Sequence, residues 1–407
     1  MTESVPADRC YGGTRHTSDW SPMSRRWLLR WAAGVCALAL GVGCTASEPT
    51  TSPTAPGSAT QPTQPATLPR TTPTRGPTGQ PGPGAEVITL AFAGDVHFER
   101  HVRALLERPD GLAELRPLLG AADVAVVNLE TALTARGTAA PKPFTFRASP
   151  TALDTLAGAG VDVVSMANNH ATDFGAVGLA DTLAARAASP VPVIGIGATA
   201  REAFEPAVLT VRGTTVAVIA STQVLDFTQA AGDTTAGVAA NVDRARLLAA
   251  VRQARAAYDV VVVFLHWGTE RTVCPDAAQI ATATALEAAG ADVIVGGHQH
   301  RVLGAGWLGR AYVGYGLGNF VWWLNSTSPG DTASGVLTVS VDVAAVRRRA
   351  ALPVDQWKGL HSVVSGGTLT PLTISSRDGI PRTSVDAEQR EQAWVQARAC
   401  TGLRGNS

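Results

Sequence analysis

Polar side chains that bind metals follow several apolar runs of this sequence. Asp95 and His97 come directly after the apolar run 87–93 and stand two residues apart. In a loop, this spacing lets a carboxylate and an imidazole converge on one ion, and Gly94 beside them permits close backbone approach. A solvated turn would look the same, so the pair becomes informative only together with the clusters that follow it.

Two further clusters add a carboxylate, amides and a histidine. Glu130, which follows Asn128 at the end of an apolar run, could bridge two cations. The plainer alternative for that pair is a helix-capping Asn128 and an exposed Glu130. In the cluster Asn168, Asn169 and His170, adjacent loop residues point in different directions. Asn169 can therefore offer an amide oxygen to a metal while His170 faces a substrate as a proton donor.

The last two clusters supply histidines. His266 ends a very apolar run and is either a ligand, with Glu270 close enough to orient it, or a buried histidine with satisfied hydrogen bonds. His298 and His300 follow two glycines after another apolar run, which fits a metal-binding loop. This distribution favours one shared site, because six of the eight histidines lie in or beside the clusters: His97, His101, His170, His266, His298 and His300.

The composition limits the classes of function. The chain has 407 residues, of which 45% are hydrophobic, and its 33 basic and 33 acidic residues give no net charge. A neutral chain lacks the basic footprint of nucleic-acid binding, so nucleic acid is excluded as a partner. None of the five cysteines forms a CxxC pair, which argues against a zinc ribbon or a thioredoxin-type site. In an exported protein Cys274 and Cys400 could form a disulfide, and two unpaired thiols are the alternative.

The N-terminal part reads as an export signal over residues 1–44. The basic stretch 24–30 precedes the apolar stretch 31–42, which is too short for a confident membrane span. Its adjacent arginines resemble a twin-arginine signal, with an ordinary secretory signal as the alternative. Gly41-Val42-Gly43-Cys44 resembles a lipobox, which predicts lipidation of Cys44 and a protein anchored on the outer face of the cell membrane. Simple cleavage and an uncleaved anchor stay open.

The rest of the chain divides into a linker, a domain and an extension. Residues 45–86 are rich in Pro and Thr and predict a disordered linker. Apolar patterns then alternate over residues 87–345 and predict an α/β domain, with the polar clusters at the carboxyl ends of its strands. Residues 346–407 are predicted to be an extension that packs on the domain, irregular over 351–385. Helices are predicted over 102–119, 151–159, 178–188, 243–257, 276–289 and 386–399, and strands over 87–93, 123–127, 161–165, 191–196, 215–220, 260–265, 291–295, 311–315 and 335–343.

The ordered set of clusters resembles a known family. Its members, in sequence order, are Gly94-Asp95-x-His97, Asn128-Leu129-Glu130, Ala167-Asn168-Asn169-His170, His266-Trp267-Gly268, Gly297-His298-x-His300 and Gly318-Asn319-Phe320. This set looks like the CapA family of poly-γ-glutamate capsule synthesis proteins, which are related to calcineurin-like metallophosphoesterases. The resemblance extends over about residues 87–325.

The resemblance implies a layered, metallophosphoesterase-like β-sheet core flanked by helices, and a site for two divalent ions of Mn, Fe, Zn or Mg. It makes His170 the general acid and leaves the identity of the bridging ligand open, because phosphoesterases have an Asp where this chain has Asn128-Leu129-Glu130. Gln299 replaces the Pro that is frequent between the last two histidines. The implied ligands are Asp95, His97, Glu130, Asn169, His266, His298 and His300, and the side chains placed around them are Asn128, Asn168, Glu270 and Asn319.

These features predict a surface-anchored protein of poly-γ-glutamate capsule or cell-envelope polymer biosynthesis with a phosphoesterase-like hydrolase site. The expected partners are an anionic envelope polymer or a phosphorylated intermediate, the membrane through the N-terminal anchor, and capsule-synthesis membrane proteins. The alternative is a non-catalytic accessory that binds or exports the polymer with the help of metal. Poly-γ-glutamate is an amide polymer without phosphate, so a phosphoesterase would act on a phosphorylated intermediate.

Overall fold

Residues 86–108, 110–242, 244–324, 329–357 and 360–405 are described by the structure, a computed structural model. They belong to the unit Pro69–Ser407. The predicted export signal, Cys44 and the predicted linker as far as residue 85 lie outside the described residues. Within the described ranges, none of the helices has both the length and the apolar character needed to cross a bilayer.

The strands carry most of the apolar runs seen in the sequence. In chain order they are β1 (Val87–Val96), β2 (Val124–Leu129), β3 (Ala132–Leu133), β4 (Arg147–Ala148), β5 (Val163–Ser165), β6 (Val193–Ile194), β7 (Ile196–Gly197), β8 (Ala207–Val211), β9 (Thr214–Thr222), β10 (Gly237–Val238), β11 (Val260–His266), β12 (Val293–Gly297), β13 (Ala305–Leu308), β14 (Ala311–Gly314), β15 (Asn319–Val321), β16 (Ala333–Asp342), β17 (Val364–Ile374) and β18 (Pro381–Thr383).

Helices connect the strands. In chain order they are α1 (Arg116–Leu119), α2 (Thr151–Gly158), α3 (Gly175–Ala188), α4 (Ala200–Ala203), α5 (Ala245–Ala257), α6 (Ala277–Ala289), α7 (Pro329–Thr332), α8 (Val343–Ala350) and α9 (Ala387–Ala397). Short 3-10 helices cover Arg100–Glu107, Ala113–Leu115, Val354–Trp357 and Arg398–Cys400.

Two sheets pack face to face in the core. The first has the strand order β18-β17-β16-β1-β2-β5-β6, with β15 also paired to β1, and the second has the order β13-β14-β12-β11-β9-β8. Strands β1, β2, β5 and β6 run parallel to one another in the first sheet, as do β9, β11, β12 and β14 in the second. The carboxyl ends of both parallel groups therefore form a common edge.

The alternation of side chains along each strand explains the layers. In β11, Val260, Val262 and Phe264 face the core between the sheets, which also contains Phe92 of β1. The intervening residues of β11, such as Val263, face a separate core that α5 and α6 cover. A strand buried on both faces has no polar positions, which is why the sequence shows continuous apolar runs. The prediction of a layered α/β core flanked by helices is confirmed.

Two differences from the predicted elements affect the fold most. The helix predicted over 102–119 is broken into two 3-10 helices and the single-turn α1, and Gly111, a poor helix former, lies between the two 3-10 helices. The stretch 351–385, predicted to be irregular, contains the 11-residue strand β17. β17 pairs with β16 from Ala333 to Val341, so part of the predicted extension lies inside the first sheet rather than packing on it.

Contacts from the C-terminal part reach the second sheet as well. Asp292, just before β12, accepts hydrogen bonds from Arg255 of α5 (2.7 Å) and from Arg349 of α8. The same carboxylate accepts the backbone N–H of Val261 at 2.9 Å. Cys274 and Cys400 are joined by a disulfide that links the segment after β11 to the last 3-10 helix.

Candidate metal centre

The predicted site residues converge where the parallel strands of the two sheets end. Asp95, near the end of β1, pairs in register with Asn128 of β2 on one side and Asn319 of β15 on the other. In the second sheet, His266 is the last residue of β11 and pairs with Gly297, the last residue of β12. The carboxyl ends of the strands thus bring residues far apart in the sequence to one buried place.

Two sets of side chains in this place have the spacing of metal ligands. Glu130, His266 and His298 form one set, and Asp95, Glu130 and His300 form the other. Within each set, the ligand atoms all lie within 4.8 Å of one another. Glu130 belongs to both sets, so its carboxylate lies at the junction between them.

The burial of unpaired ligand atoms tests whether a cation fits. Both carboxylate oxygens of Glu130, His97 Nε2 and His298 Nδ1 are buried and have no hydrogen-bond partner among the described residues. A buried carboxylate without partners is costly, and a bound cation removes that cost. Burial, together with the charge of Asp95, raises the pKa of Glu130 to about 8. The donor set therefore fits divalent metal.

Asp95 is fixed by neighbours from both sheets. Its Oδ1 accepts a hydrogen bond from the Asn128 side chain at 2.9 Å, and its Oδ2 accepts the backbone N–H of His298 at 2.9 Å. Burial raises the pKa of Asp95, but the hydrogen bond of His300 and the charges of His266 and His300 outweigh burial and hold that pKa below its usual value. The carboxylate is therefore ionised and oriented before any ion binds.

The histidines differ in charge. Burial lowers the pKa of His266 to about 4 and that of His298 to about 2, which leaves both imidazoles neutral, the form that binds metal. For His300, burial opposes protonation, but the hydrogen bond to Asp95 and the charge of Glu130 raise its pKa to about 9. A metal that binds His300 must therefore displace a proton.

The two remaining predicted ligands are Asn169 and His97. Asn169 Oδ1 is 2.9 Å from His266 Nε2, which is itself 3.4 Å from Glu130 Oε1. His97 is in neither ligand set. Its Nδ1 accepts the backbone N–H of Glu99 at 3.0 Å, and the burial of the ring, followed by the charge of His170, holds its pKa well below the usual value.

His170 faces the centre from a supported position. Its Nε2 is 3.8 Å from Glu130 Oε1, while its Nδ1 is 2.7 Å from Asp173 Oδ2. Asp173 also accepts the backbone N–H of Phe146 at 2.7 Å and pairs with the buried Lys142 at 2.6 Å. The carboxylate fixes the ring, so Nε2 is the nitrogen available to a substrate.

Three of the four residues predicted to surround the ligands contact them directly or through a shared partner. Asn168 donates to the Asn128 side chain at 3.1 Å, and Asn319 Oδ1 is 2.7 Å from His300 Nδ1. The side chain of Glu270 is exposed and makes no hydrogen bond to His266 among the described residues. It does line the cleft, and its charge acts to raise the pKa of His266, so its role in orienting that histidine stays a prediction.

A cleft opens from the centre to solvent. It has aromatic and charged walls. Its lining residues are Phe144, Phe146, His170, Glu270, Arg271, His300, Arg301, Asn319, Trp322, Trp323, Leu324 and Asp331. A substrate can therefore reach His170 and His300 from outside.

Sequence reasoning missed Asp173, Lys142 and Phe146. Asp173 follows His170 by three residues, and this spacing was a usable signal once His170 had been singled out. Lys142 and Phe146 lie in a stretch without a predicted element, so no pattern placed their side chains next to the site.

A family profile and two relatives agree on one family. The profile of the family described as bacterial capsule synthesis protein PGA_cap matches residues 89–322, a range that contains every side chain of the centre. The PGA biosynthesis protein CapA of Bacillus subtilis (strain 168) is 30% identical over 295 residues, 71% of this chain and 77% of that protein. The capsule biosynthesis protein CapA of Bacillus anthracis is 29% identical over 260 residues, 61% of this chain and 63% of that protein. Among solved structures, a phosphatase from Mycoplasma pneumoniae covers 71% of this chain and 95% of its own, at 14% identity and a TM-score of 0.45.

Proposed function

The chain belongs to the bacterial capsule synthesis protein family PGA_cap, and on this premise we propose that it is a metal-dependent phosphoester hydrolase of capsule or envelope polymer synthesis. One observation carries the proposal. Glu130 is shared by two sets of ligands, and both of its buried oxygens lack partners among the described residues, beside a histidine that a carboxylate orients.

In the proposal, Glu130, His266, His298 and Asn169 hold one divalent ion of Mn, Fe, Zn or Mg, and Asp95, Glu130 and His300 hold a second. Oxygen and nitrogen ligands without thiolates favour these metals. When bound, such a pair activates water and stabilises the charge of a phosphoryl group in an in-line displacement. His97 is a further proposed ligand, because the family resemblance implies it and its buried Nε2 has no hydrogen-bond partner among the described residues.

His170 supplies the proton. As water attacks phosphorus, the P–O bond to the alcohol breaks, and His170 Nε2 protonates the leaving oxygen. Asp173 accepts a hydrogen bond from Nδ1–H of His170 and keeps the ring turned towards the centre. Lys142 pairs with the same carboxylate at 2.6 Å and thereby fixes its position.

We place this activity on the outer face of the cell membrane, with residues 1–44 as export signal and Cys44 as the lipid anchor. The proposed substrate is a phosphorylated intermediate of an anionic envelope polymer, and capsule-synthesis membrane proteins are the proposed partners. The names of the Bacillus relatives support the link to capsule polymer synthesis.

Metal content is the first test. The purified chain should bind about two equivalents of Mn, Fe or Zn, and the variant His298→Ala should bind less. His361→Ala is the matched control, because His361 is exposed and lies outside the centre. Protein that stays free of metal after incubation with excess metal contradicts the proposal.

Turnover is the second test. Metal-loaded protein should hydrolyse p-nitrophenyl phosphate or bis-p-nitrophenyl phosphate, and His170→Ala should lose turnover while retaining its metal. Metal-loaded wild type without turnover, but with retention of poly-γ-glutamate, would support the accessory role instead.

A further inference from the structure

We propose that the alcohol released at this centre carries a planar aromatic ring, which binds against an aromatic wall formed by Phe144, Phe146, Trp322 and Trp323. This inference rests on the proposed function and names its substrate class: phosphate esters of the nucleoside type rather than esters of a plain sugar or of a glutamyl chain. Four observations carry it.

The wall offers aromatic surface at the cleft mainly through Phe144, while Phe146 and Trp323 are buried behind it. Phe144 is 54% exposed, although it belongs to a type that is usually buried. Its ring lies 6.5 Å from that of Trp323, at an angle of 63°. The guanidinium of Arg100 lies 3.4 Å from the centre of the Trp323 ring and supports it. The exposed face of Phe144 is thus held in place with nothing among the described residues covering it.

The wall also lies where a leaving group must go. Phe146 stacks on the ring of His170, with centroids 4.1 Å apart and an angle of 22°. Trp322 lies 4.9 Å from His300 on the other side of the cleft floor. An alcohol that takes its proton from His170 therefore has its body beside Phe146, and Phe144 is two residues further out in the same segment.

The aromatic side chains near the metal ligands form one connected group. Trp322 contacts Phe146 edge-on at 5.8 Å and His97 edge-on at 4.0 Å. Phe146 also stacks on His97 at 4.7 Å. Because each ring is held by the next, the wall keeps its shape when the cleft is empty, which favours a rigid planar ligand.

A polyanionic chain does not match the aromatic wall. Of the charged lining residues, Arg301 is paired with Asp331 at 2.8 Å, and neither belongs to the wall. A glutamyl chain brings repeated carboxylates and no ring, so it leaves the aromatic surface without a matching group.

Matched substrates test the inference. For the Mn-loaded full chain, kcat/KM is measured for adenosine 5′-monophosphate and for ribose 5-phosphate, and for the methyl esters of both. In each pair the reacting phosphate and the sugar are the same, and only the base differs. Stacking of a base on an aromatic side chain predicts that the nucleotide is preferred by about 10-fold or more.

Two variants test whether the aromatic wall causes the preference for the nucleotide. Phe144→Ala should lower kcat/KM for the nucleotide more than for the ribose phosphate, so the ratio falls towards one. Phe227→Ala is the matched control, because Phe227 is 67% exposed and does not line the cleft, and its ratio should stay at the wild-type value.

The outcomes separate the two proposals. A wild-type ratio near one, or an unchanged ratio in Phe144→Ala, overturns the aromatic substrate class and leaves the hydrolase intact. Metal-loaded protein that hydrolyses no phosphate ester in either pair overturns the proposed function, and this inference with it.

Discussion

In the proposed function, Glu130 is the side chain on which metal affinity and metal-free stability should depend most. Its carboxylate is buried, has no hydrogen-bond partner among the described residues and is shared by both ligand sets. The arrangement is costly for the metal-free fold because an ionised carboxylate loses its hydration there. It is favourable once cations arrive, so folding and metal binding should be coupled at this residue.

Replacement of Glu130 by Gln should change how stability depends on pH. Burial and Asp95 raise the Glu130 pKa from 4.5 to about 8. The protonated group therefore favours the folded state below the unfolded pKa, and this contribution is lost as pH rises through about 8. Gln cannot ionise, so without metal Glu130→Gln should gain about 2–4 kcal/mol relative to wild type between pH 5 and pH 8.

Urea unfolding in EDTA at both pH values measures this difference. Added Mn should reverse the order, because only the wild type keeps the shared ligand. An equal difference between the two proteins at pH 5 and pH 8 would show that Glu130 does not titrate in this range.

Asp173→Asn should separate catalysis from metal binding. The Asn side chain keeps the shape but cannot accept the Nδ1 proton of His170 in the same way, so kcat should fall by roughly 10²-fold or more. The metal content should be unchanged, because Asp173 belongs to neither ligand set. Asp181→Asn, at a surface ion pair with Arg136, serves as the control and should keep full activity.

Site residues at strand ends were predictable from the sequence, but the residues that hold the site side chains in position were not. Asp95, His266 and His298 each follow an apolar run, and strands of one sheet end at one edge. Lys142 comes from a segment without regular structure, and only tertiary packing places its ammonium 2.6 Å from Asp173.

At the scale of elements, the centre depends on how closely β12 approaches β1. A Cβ added at Gly297 would lie 2.3 Å from Asp95 Oδ1. Only glycine therefore lets the last residue of β12 lie beside this carboxylate.

Gly297→Ala should weaken metal binding by about 10- to 100-fold, because the methyl group must displace Asp95 or the strand end. Gly366→Ala in β17 is the matched control, because a Cβ there meets nothing within 4 Å. Calorimetric titration with Mn compares the metal affinities of the two variants. Equal affinities in both variants would mean that the approach of the two strands is not needed for the site.

Elements were predictable from the sequence where apolar runs were long and uninterrupted. The strand predicted over 260–265 corresponds to β11, which covers Val260–His266. β17 was not predicted, because Gly366, Gly367 and Pro371 lie within it and such residues weaken any strand pattern. Its pairing with β16 outweighs this weak local preference.

At the scale of the whole molecule, the C-terminal part stabilises the sheets that carry the centre. Asp292 joins α5, the start of β12 and α8 through Arg255 and Arg349, both of them largely buried. Removing one member of a buried ion cluster leaves the other charges unpaired.

Asp292→Ala should therefore lower the free energy of unfolding by about 3–5 kcal/mol. Thermal or urea unfolding measures the loss. Asp233→Ala, which removes an exposed ion pair with Arg246, should cause no measurable change. If both variants unfold like the wild type, the cluster does not hold the C-terminal part to the second sheet.

Whether the disulfide between Cys274 and Cys400 forms depends on the compartment in which the chain folds. Such bonds form and persist in oxidising surroundings and are rare in the cytosol. Rapid alkylation of intact cells, followed by mass spectrometry, should find both sulfurs protected in an exported chain and free in a version without residues 1–44. Cys274→Ser should free Cys400 in either case. The oxidation state of Cys274 and Cys400 thus indicates export independently of any lipid at Cys44.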